Sequence, residues 1–130
     1  MLKIKVALLT FMCFTCFATC FAQNDSLISL HAAAFNRILH LNPNAICIDV
    51  RIEKDFKKGH LPGAYSAETS DILFHLIDSL GINKTYLIYC EYGERSRSAG
   101  KLIYKKRGIS IISLEEGLEE WEQAGLDLVK

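Results

Sequence analysis

Apolar and polar residues alternate in a pattern that predicts strands and helices following one another along the chain. Two short, almost wholly apolar runs, residues 45–50 and 85–89, are typical of strands covered on both faces of a sheet. Residues 109–113 predict a third strand. Apolar positions at helical spacing predict helices over residues 27–41, 69–80, 96–107 and 115–124. Strands and helices at this spacing predict a small α/β domain with a mainly parallel sheet and helices on both faces.

Turn-forming residues support the predicted helix ends. Asn42-Pro43-Asn44 stops the first helix, and Gly81 is placed as the C-terminal cap of the second. We expect Ser96 or Ser98 to cap the third helix at its start and Gly108 to end it.

Residues 1–22 have the layout of a secretory signal peptide. A basic start with Lys3 and Lys5 precedes an apolar run over residues 6–22, which ends in small residues before a cut ahead of Gln23. We therefore expect the protein to be exported, and to be periplasmic if its source is a Gram-negative bacterium.

The predicted cut leaves one domain, residues 23–130, which we do not expect to span a membrane. Two alternatives stay open. The apolar run could remain as a membrane anchor, although its length is at the short edge for spanning a bilayer. The second alternative is lipid attachment at Cys20. The preceding residues, Phe17-Ala18-Thr19, are a poor match to the sequence that lipoprotein processing prefers.

Composition excludes several classes of protein. The 130 residues are enough for one domain, half of them are apolar, and only two are proline, which excludes a disordered chain. Lys and Arg balance Asp and Glu at 15 each. Removing residues 1–22, which hold two lysines and no acids, leaves 13 basic and 15 acidic residues and a net charge of −2. No basic excess indicates a nucleic-acid partner.

The histidines and cysteines show no metal-binding pattern. His31, His40 and His75 share no short spacing, and no Cys-x-x-Cys or His-Glu-x-x-His motif is present. We therefore expect no metal and no cofactor. Cys47 lies inside an apolar run and is interpreted as a core residue. Cys90 follows a strand, so it is the cysteine that we expect to be exposed, and a disulfide between these two stays possible in an oxidising compartment.

The loop after Cys90 has a chemical use. It joins the end of a predicted parallel strand to a helix start, where backbone N–H groups and the helix dipole favour an anion. Both favour the thiolate over the thiol, or an anionic persulfide on the same sulfur. Gly93 allows the backbone to bend, and Arg95 adds a positive charge. We interpret Cys90 as a nucleophile and the backbone of residues 91–96 as its anion cradle.

A second strand end carries charged residues beside this loop if the sheet is parallel. Asp49 and Arg51 stand at the end of the strand over residues 45–50. They are candidates for supporting the site by shaping it, although a structural ion pair or loop cap is the favoured interpretation. His60 stands in Gly-His-Leu-Pro-Gly, where a hydrogen bond that stabilises the turn is favoured over a role as a base.

Four separated pieces of the chain share a family pattern. They are Ile48-Asp49-Val50-Arg51, Phe56 with Gly59-His60-Leu61-Pro62-Gly63-Ala64, Tyr89 to Ser96 with Ala99 and Leu102, and Leu114-Glu115-Glu116-Gly117 with Trp121 and Gly125. In kind, order and spacing these pieces resemble the rhodanese domain over about residues 29–128. The family's usual Gly-Gly before the last helix is Glu116-Gly117 here.

The resemblance implies a five-stranded parallel sheet and a sulfurtransferase. Cys90 would take a sulfane sulfur from a small donor, become a persulfide, and pass the sulfur to cyanide, a small thiol or a protein thiol, with ping-pong kinetics. The substrate-binding residues implied by the loop are Glu91, Tyr92, Gly93, Glu94, Arg95 and Ser96. An alternative is a binding or sulfur-carrier module with little turnover, since the family includes non-catalytic members.

Loop length and loop charge refine this resemblance. Phosphatases that share the rhodanese fold look like Cys-x5-Arg, whereas only four residues separate Cys90 from Arg95. Rhodaneses that use thiosulfate well tend to have a basic residue just after the cysteine, but this loop carries Glu91 and Glu94. Because two carboxylates repel a dianion, we expect thiosulfate to be a poor donor.

Overall fold

The structure is a computed structural model that describes residues 26–130, so the predicted signal peptide lies outside it. Five strands form one sheet in the order β1-β5-β4-β2-β3. They are β1 (Leu27–Leu30), β2 (Ala45–Asp49), β3 (Tyr65–Ser66), β4 (Thr85–Tyr89) and β5 (Ile111–Leu114). Every strand pair is parallel, which confirms the predicted α/β class.

Five helices connect and cover the strands. They are α1 (Ala32–Leu41), α2 (Glu53–Lys58), α3 (Ser70–Leu80), α4 (Glu94–Arg107) and α5 (Gly117–Gln123). Across residues 26–130, no helix is both long enough and apolar enough to cross a membrane.

Each face of the sheet has its own apolar core, as the sequence predicts. On one face, Leu73 and Ile77 of α3 and Ile103 of α4 pack against the strands. On the other, Phe35 of α1 packs against Trp121 of α5, with their rings edge to face at 6.4 Å. A sheet with two covered faces explains why its central strands are almost wholly apolar.

The prediction of one helix over residues 27–41 is wrong. Leu27–Leu30 is the edge strand β1, which pairs with β5, and only Ala32–Leu41 is helical. Leu27 and Leu30 satisfy a helical spacing by their separation of three, and four residues are too few to show a strand period. Pairing with β5 overrides this local pattern.

Several predicted boundaries also move by a few residues. The α4 helix begins at Glu94 with Gly93 as its N-cap, so neither Ser96 nor Ser98 caps it. The third predicted strand is shifted to Ile111–Leu114, and α5 starts at Gly117. The caps Gly81 and Gly108 are confirmed, and both have positive φ angles, which glycine adopts at no steric cost. Strand β3 and helix α2 were not predicted.

Candidate active site

Cys90 lies where the sequence places it, directly after β4 and before α4. Its Sγ accepts a hydrogen bond from the backbone N–H of Gly93 at 3.2 Å and from that of Ser96 at 3.4 Å. The Ser96 hydroxyl oxygen is 3.6 Å from the same sulfur. Two backbone N–H donors therefore converge on one sulfur at the start of a helix, an arrangement that stabilises negative charge there.

The expectation that Cys90 is exposed is wrong, because the residue is only 4% exposed. It instead forms part of the floor of a cavity of about 300 Å³. The loop folds back over the sulfur because its N–H groups turn inward to reach it, and this removes the side chain from the surface. The other lining residues are Arg51, Ile52, Asp55, Glu91, Tyr92, Glu94 and Arg95.

Gly93 and Gly117 lock the Cys90 loop against the loop between β5 and α5. Gly93 has a φ of 92°, and a Cβ there would overlap the carbonyl oxygen of Glu115. Gly117 has a φ of 70°, and a Cβ there would lie 2.5 Å from the carbonyl oxygen of Cys90. The N–H of Leu118 donates to that same carbonyl at 2.8 Å. The family usually has two adjacent glycines at this point. Gly117 stands at the second of these positions, and it is there that the close approach leaves no room for a side chain.

A pair of buried hydroxyls extends the polar network behind the sulfur. Ser96 Oγ lies 2.9 Å from Ser113 Oγ, and it donates to the carbonyl oxygen of Gly93 at 3.0 Å. Gly93 also accepts from the N–H of Arg97. Because the Ser96 hydroxyl donates to Gly93, Ser113 donates to Ser96. The sequence analysis missed Ser113, because a serine in a strand carries no signal of what it faces.

Removing the Ser96 hydroxyl should slow alkylation of Cys90. Because that hydroxyl donates to the Gly93 carbonyl and so fixes the loop whose N–H groups reach the sulfur, Ser96→Ala is expected to lower the rate with iodoacetamide at neutral pH by about tenfold. Ser113→Ala should lower it less, and Ser98→Ala, on the exposed side of α4, should match the wild type. The rate is measured on the Cys90 peptide by mass spectrometry. Equal rates in Ser96→Ala and Ser98→Ala would contradict this role.

Asp49 and Arg51 form the ion pair that the sequence favoured. Arg51 Nη2 lies 2.7 Å from Asp49 Oδ2 and also donates to the carbonyl oxygen of Gly59 at 2.7 Å. Asp49 is fully buried and Arg51 nearly so. Burial alone lowers the pKa of Arg51, but hydrogen bonds and charge pairing with Asp49 raise it overall. The pair ties the end of β2 to the 59–63 loop beside the cavity.

The remaining loop residues form the rim of the cavity. Arg95 is exposed, and its Nη2 donates to the carbonyl oxygen of Glu68 rather than to the sulfur. Tyr92 is 65% exposed and Ile52 41%, so two apolar side chains stand at the entrance. The side chain of Glu91 is half exposed, and Glu94 is exposed. The rim therefore combines apolar surface with charges of both signs.

The other candidate residues have structural partners. His60 Nδ1 lies 3.1 Å from the carbonyl oxygen of Phe56, and the two rings stack, as expected for a residue that stabilises a turn. Cys47 is buried in the core on the sheet face opposite to the core that contains Cys90, and burial raises its pKa. Neither cysteine is in a disulfide. Within residues 26–130, no group of three His, Cys, Asp or Glu side chains could hold a metal ion.

The fold agrees with that of known proteins. The model of the rhodanese-like domain family matches residues 32–124, and the chain therefore belongs to that family. A tRNA sulfurtransferase from Pyrobaculum aerophilum is 43% identical over 70 residues, which cover 54% of this chain and 14% of that protein. The family and this relative support sulfur transfer at the level of the family. The chain spans less than half the length of the curated relatives it matches.

Solved structures show the same fold. A rhodanese-related protein from Thermoplasma volcanium aligns with a TM-score of 0.67 at 22% identity, over 78% of this chain and 97% of that one. A thiosulfate sulfurtransferase from Pseudomonas aeruginosa aligns with a TM-score of 0.71 at 18% identity, over 79% of this chain and 20% of that one. At these identities, the likeness is one of architecture.

Proposed function

We propose that this protein is a sulfurtransferase in which Cys90 carries a sulfane sulfur as a persulfide. The observation that supports this most directly is the convergence of the Gly93 and Ser96 N–H groups on Cys90 Sγ. The same groups suit the terminal sulfur of a persulfide, which is also anionic. The cavity beside the sulfur has room for a small donor or acceptor.

The first half-reaction loads the enzyme. The Cys90 thiolate attacks the outer sulfur of the donor and forms a new S–S bond. The donor's own bond to that sulfur breaks, and its electron pair leaves with the remaining group, as sulfite from thiosulfate or as a thiolate from an organic persulfide. The Gly93 and Ser96 N–H groups hold the negative charge on Cys90 before the attack and on the persulfide after it.

The second half-reaction returns the sulfur. Cyanide, a small thiolate or a protein thiolate attacks the outer sulfur of the persulfide, the S–S bond breaks, and the Cys90 thiolate is regenerated. Electrons and charge balance over the two steps, so no cofactor and no metal enter this scheme.

Initial-rate kinetics test this scheme. Donor and acceptor are varied together, with an organic persulfide as donor and cyanide as acceptor. A covalent intermediate between two half-reactions gives parallel lines in double-reciprocal plots. Lines that intersect would contradict the ping-pong scheme. No turnover, together with no loading of Cys90, would instead favour the binding module.

Thiosulfate is expected to be a poor donor for this protein. Glu91 and Glu94 line the cavity over Cys90, and their negative charges repel a dianion. We expect the KM for thiosulfate to be above about 1 mM, compared with tighter use of organic persulfides. Steady-state assays with the two donors and one acceptor check this. A KM for thiosulfate well below the millimolar range would contradict it.

We propose further that the domain acts outside the cytoplasm. The basis is the signal-peptide layout of residues 1–22, which lie outside the described structure. Mass spectrometry of the protein from the periplasmic fraction of an expressing bacterium tests this. We expect a mature chain that starts at Gln23, and a full-length chain that stays in the cytoplasmic fraction would contradict the proposal.

A further inference from the structure

Arg51 forms part of the wall of the cavity that contains Cys90. The residue is 6% exposed, yet its guanidinium group has five N–H donors and carries its charge at any working pH. A buried guanidinium with donors that face a cavity is a binding group for carboxylates, sulfonates and other oxyanions. The partners of each donor therefore decide what this part of the cavity can bind.

Among the contacts of residues 26–130, only one of the three guanidinium nitrogens of Arg51 has a donor to spare. Nε donates to the Asp49 carboxylate at 3.0 Å, and Nη2 donates to Asp49 and to the carbonyl oxygen of Gly59 at 2.7 Å each. Nη1 has a single partner, Glu91 Oε2, at 3.4 Å. That distance exceeds the about 2.7–2.9 Å of a good charge-assisted hydrogen bond.

We propose that Nη1 of Arg51 is an anion-binding group beside Cys90, and that Glu91 occupies it and thereby sets the preference of the site against sulfur donors that carry a sulfonate or other oxyanion group. The part that concerns donors rests on the proposed sulfurtransferase function, whereas the anion site itself does not. The donor class favoured by this arrangement is an organic persulfide, whose carbon-bearing group can contact Ile52 and Tyr92 at the entrance.

Glu91 is suited to be displaced from this position. Its side chain is 42% exposed, so it can turn out to solvent. Its departure leaves no buried charge unpaired, because Asp49 continues to pair with Arg51 through short hydrogen bonds. An incoming sulfonate or sulfate must therefore compete with a carboxylate that is already tethered in place, and this competition lowers its apparent affinity.

Glu94 supplies a matched control. It lines the same cavity and carries the same charge, but its carboxylate makes no hydrogen bond or ion pair with Arg51 in the described structure. Glu91→Ala frees Nη1, whereas Glu94→Ala only removes a nearby negative charge. Glu91→Gln removes the charge and keeps an acceptor oxygen, so it should free Nη1 less completely than Glu91→Ala.

The test uses sulfate, which cannot donate sulfur, as a probe at constant ionic strength. Sulfate that binds Arg51 protects Cys90 from iodoacetamide, and the concentration for half-protection is measured on the Cys90 peptide. We expect this concentration to be about tenfold lower in Glu91→Ala than in the wild type and within about twofold of the wild type in Glu94→Ala. Equal shifts in both variants, or no shift in Glu91→Ala, would overturn the proposal.

A second readout separates this proposal from the proposed function. If the protein transfers sulfur, the KM for thiosulfate should fall in Glu91→Ala by about the same factor as the sulfate half-protection. Sulfate protection that strengthens without any turnover supports the anion site and counts against the sulfurtransferase. If the protein turns over but the sulfate concentration for half-protection is unchanged in Glu91→Ala, the result supports the sulfurtransferase and overturns the role of Glu91.

Discussion

Cys90→Ser is expected to abolish sulfur transfer while the protein stays folded. Serine keeps the shape of the side chain, but its hydroxyl is not ionised at neutral pH and cannot form a persulfide. We expect turnover with any sulfane donor to fall by at least about 10³-fold, to the background of the uncatalysed reaction. The measurement is the initial rate with an organic persulfide and cyanide.

Cys47→Ser is the matched control for that experiment. Cys47 packs in the core on the other face of the sheet, and burial raises its pKa, so it does not supply a thiolate. This variant should retain the activity of the wild type per folded molecule, with some loss of stability from a buried hydroxyl. Substantial turnover by Cys90→Ser, or loss of turnover by folded Cys47→Ser, would place the chemistry elsewhere.

Gly117→Ala is expected to destabilise the fold more than any other alanine substitution at a positive-φ glycine outside the Cys90 loop. The new Cβ would meet the carbonyl oxygens of Cys90 and Glu91, which are backbone atoms that cannot turn away. The hydrogen bond from the Leu118 N–H to Cys90 would also be disturbed. Left-handed strain, overlap and the weakened bond together predict a loss of about 3 kcal/mol or more in the free energy of unfolding.

Gly125→Ala separates backbone strain from overlap. Gly125 has a φ of 72°, close to the 70° of Gly117, but nothing lies within 4 Å of its Cβ position. Its alanine variant should lose only about 1 kcal/mol, measured for both variants by urea unfolding. Gly117→Ala should also lower the rate of Cys90 alkylation, because it shifts the loop that presents the N–H groups. Similar losses in both variants would show that the two loops are not locked together.

The parts of the fold that follow from sequence are those with a strong local period or a turn residue. The buried strands around Ile48 and Ile88 are almost wholly apolar, and α3 and α4 end at glycines whose positive φ angles the structure shows. In contrast, β1 has only four residues, and its identity depends on pairing with β5. Local pattern cannot supply that partner.

The candidate site likewise has features that the sequence predicts and features that depend on the fold. The position of Cys90 between a strand and a helix, with Gly93 close behind, is legible in the sequence because strand ends and helix starts are local features. The contact between Ser96 and Ser113 joins residues that are 17 positions apart in the sequence. The contact between Arg51 and Glu91 joins residues that are 40 positions apart. They appear only when β2, β4 and β5 lie side by side. The depth of the sulfur likewise depends on how the loop folds.

Intact mass spectrometry of the purified protein after incubation with an organic polysulfide, and separately with thiosulfate, tests the persulfide on Cys90 most directly. We predict a gain of about 32 Da, one sulfur atom, with the polysulfide; cyanide should remove it and the Cys90→Ser variant should lack it. Thiosulfate should load the protein weakly. A reduced, folded protein that gains no sulfur from either donor, or a Cys90→Ser variant that gains it equally, would contradict the account.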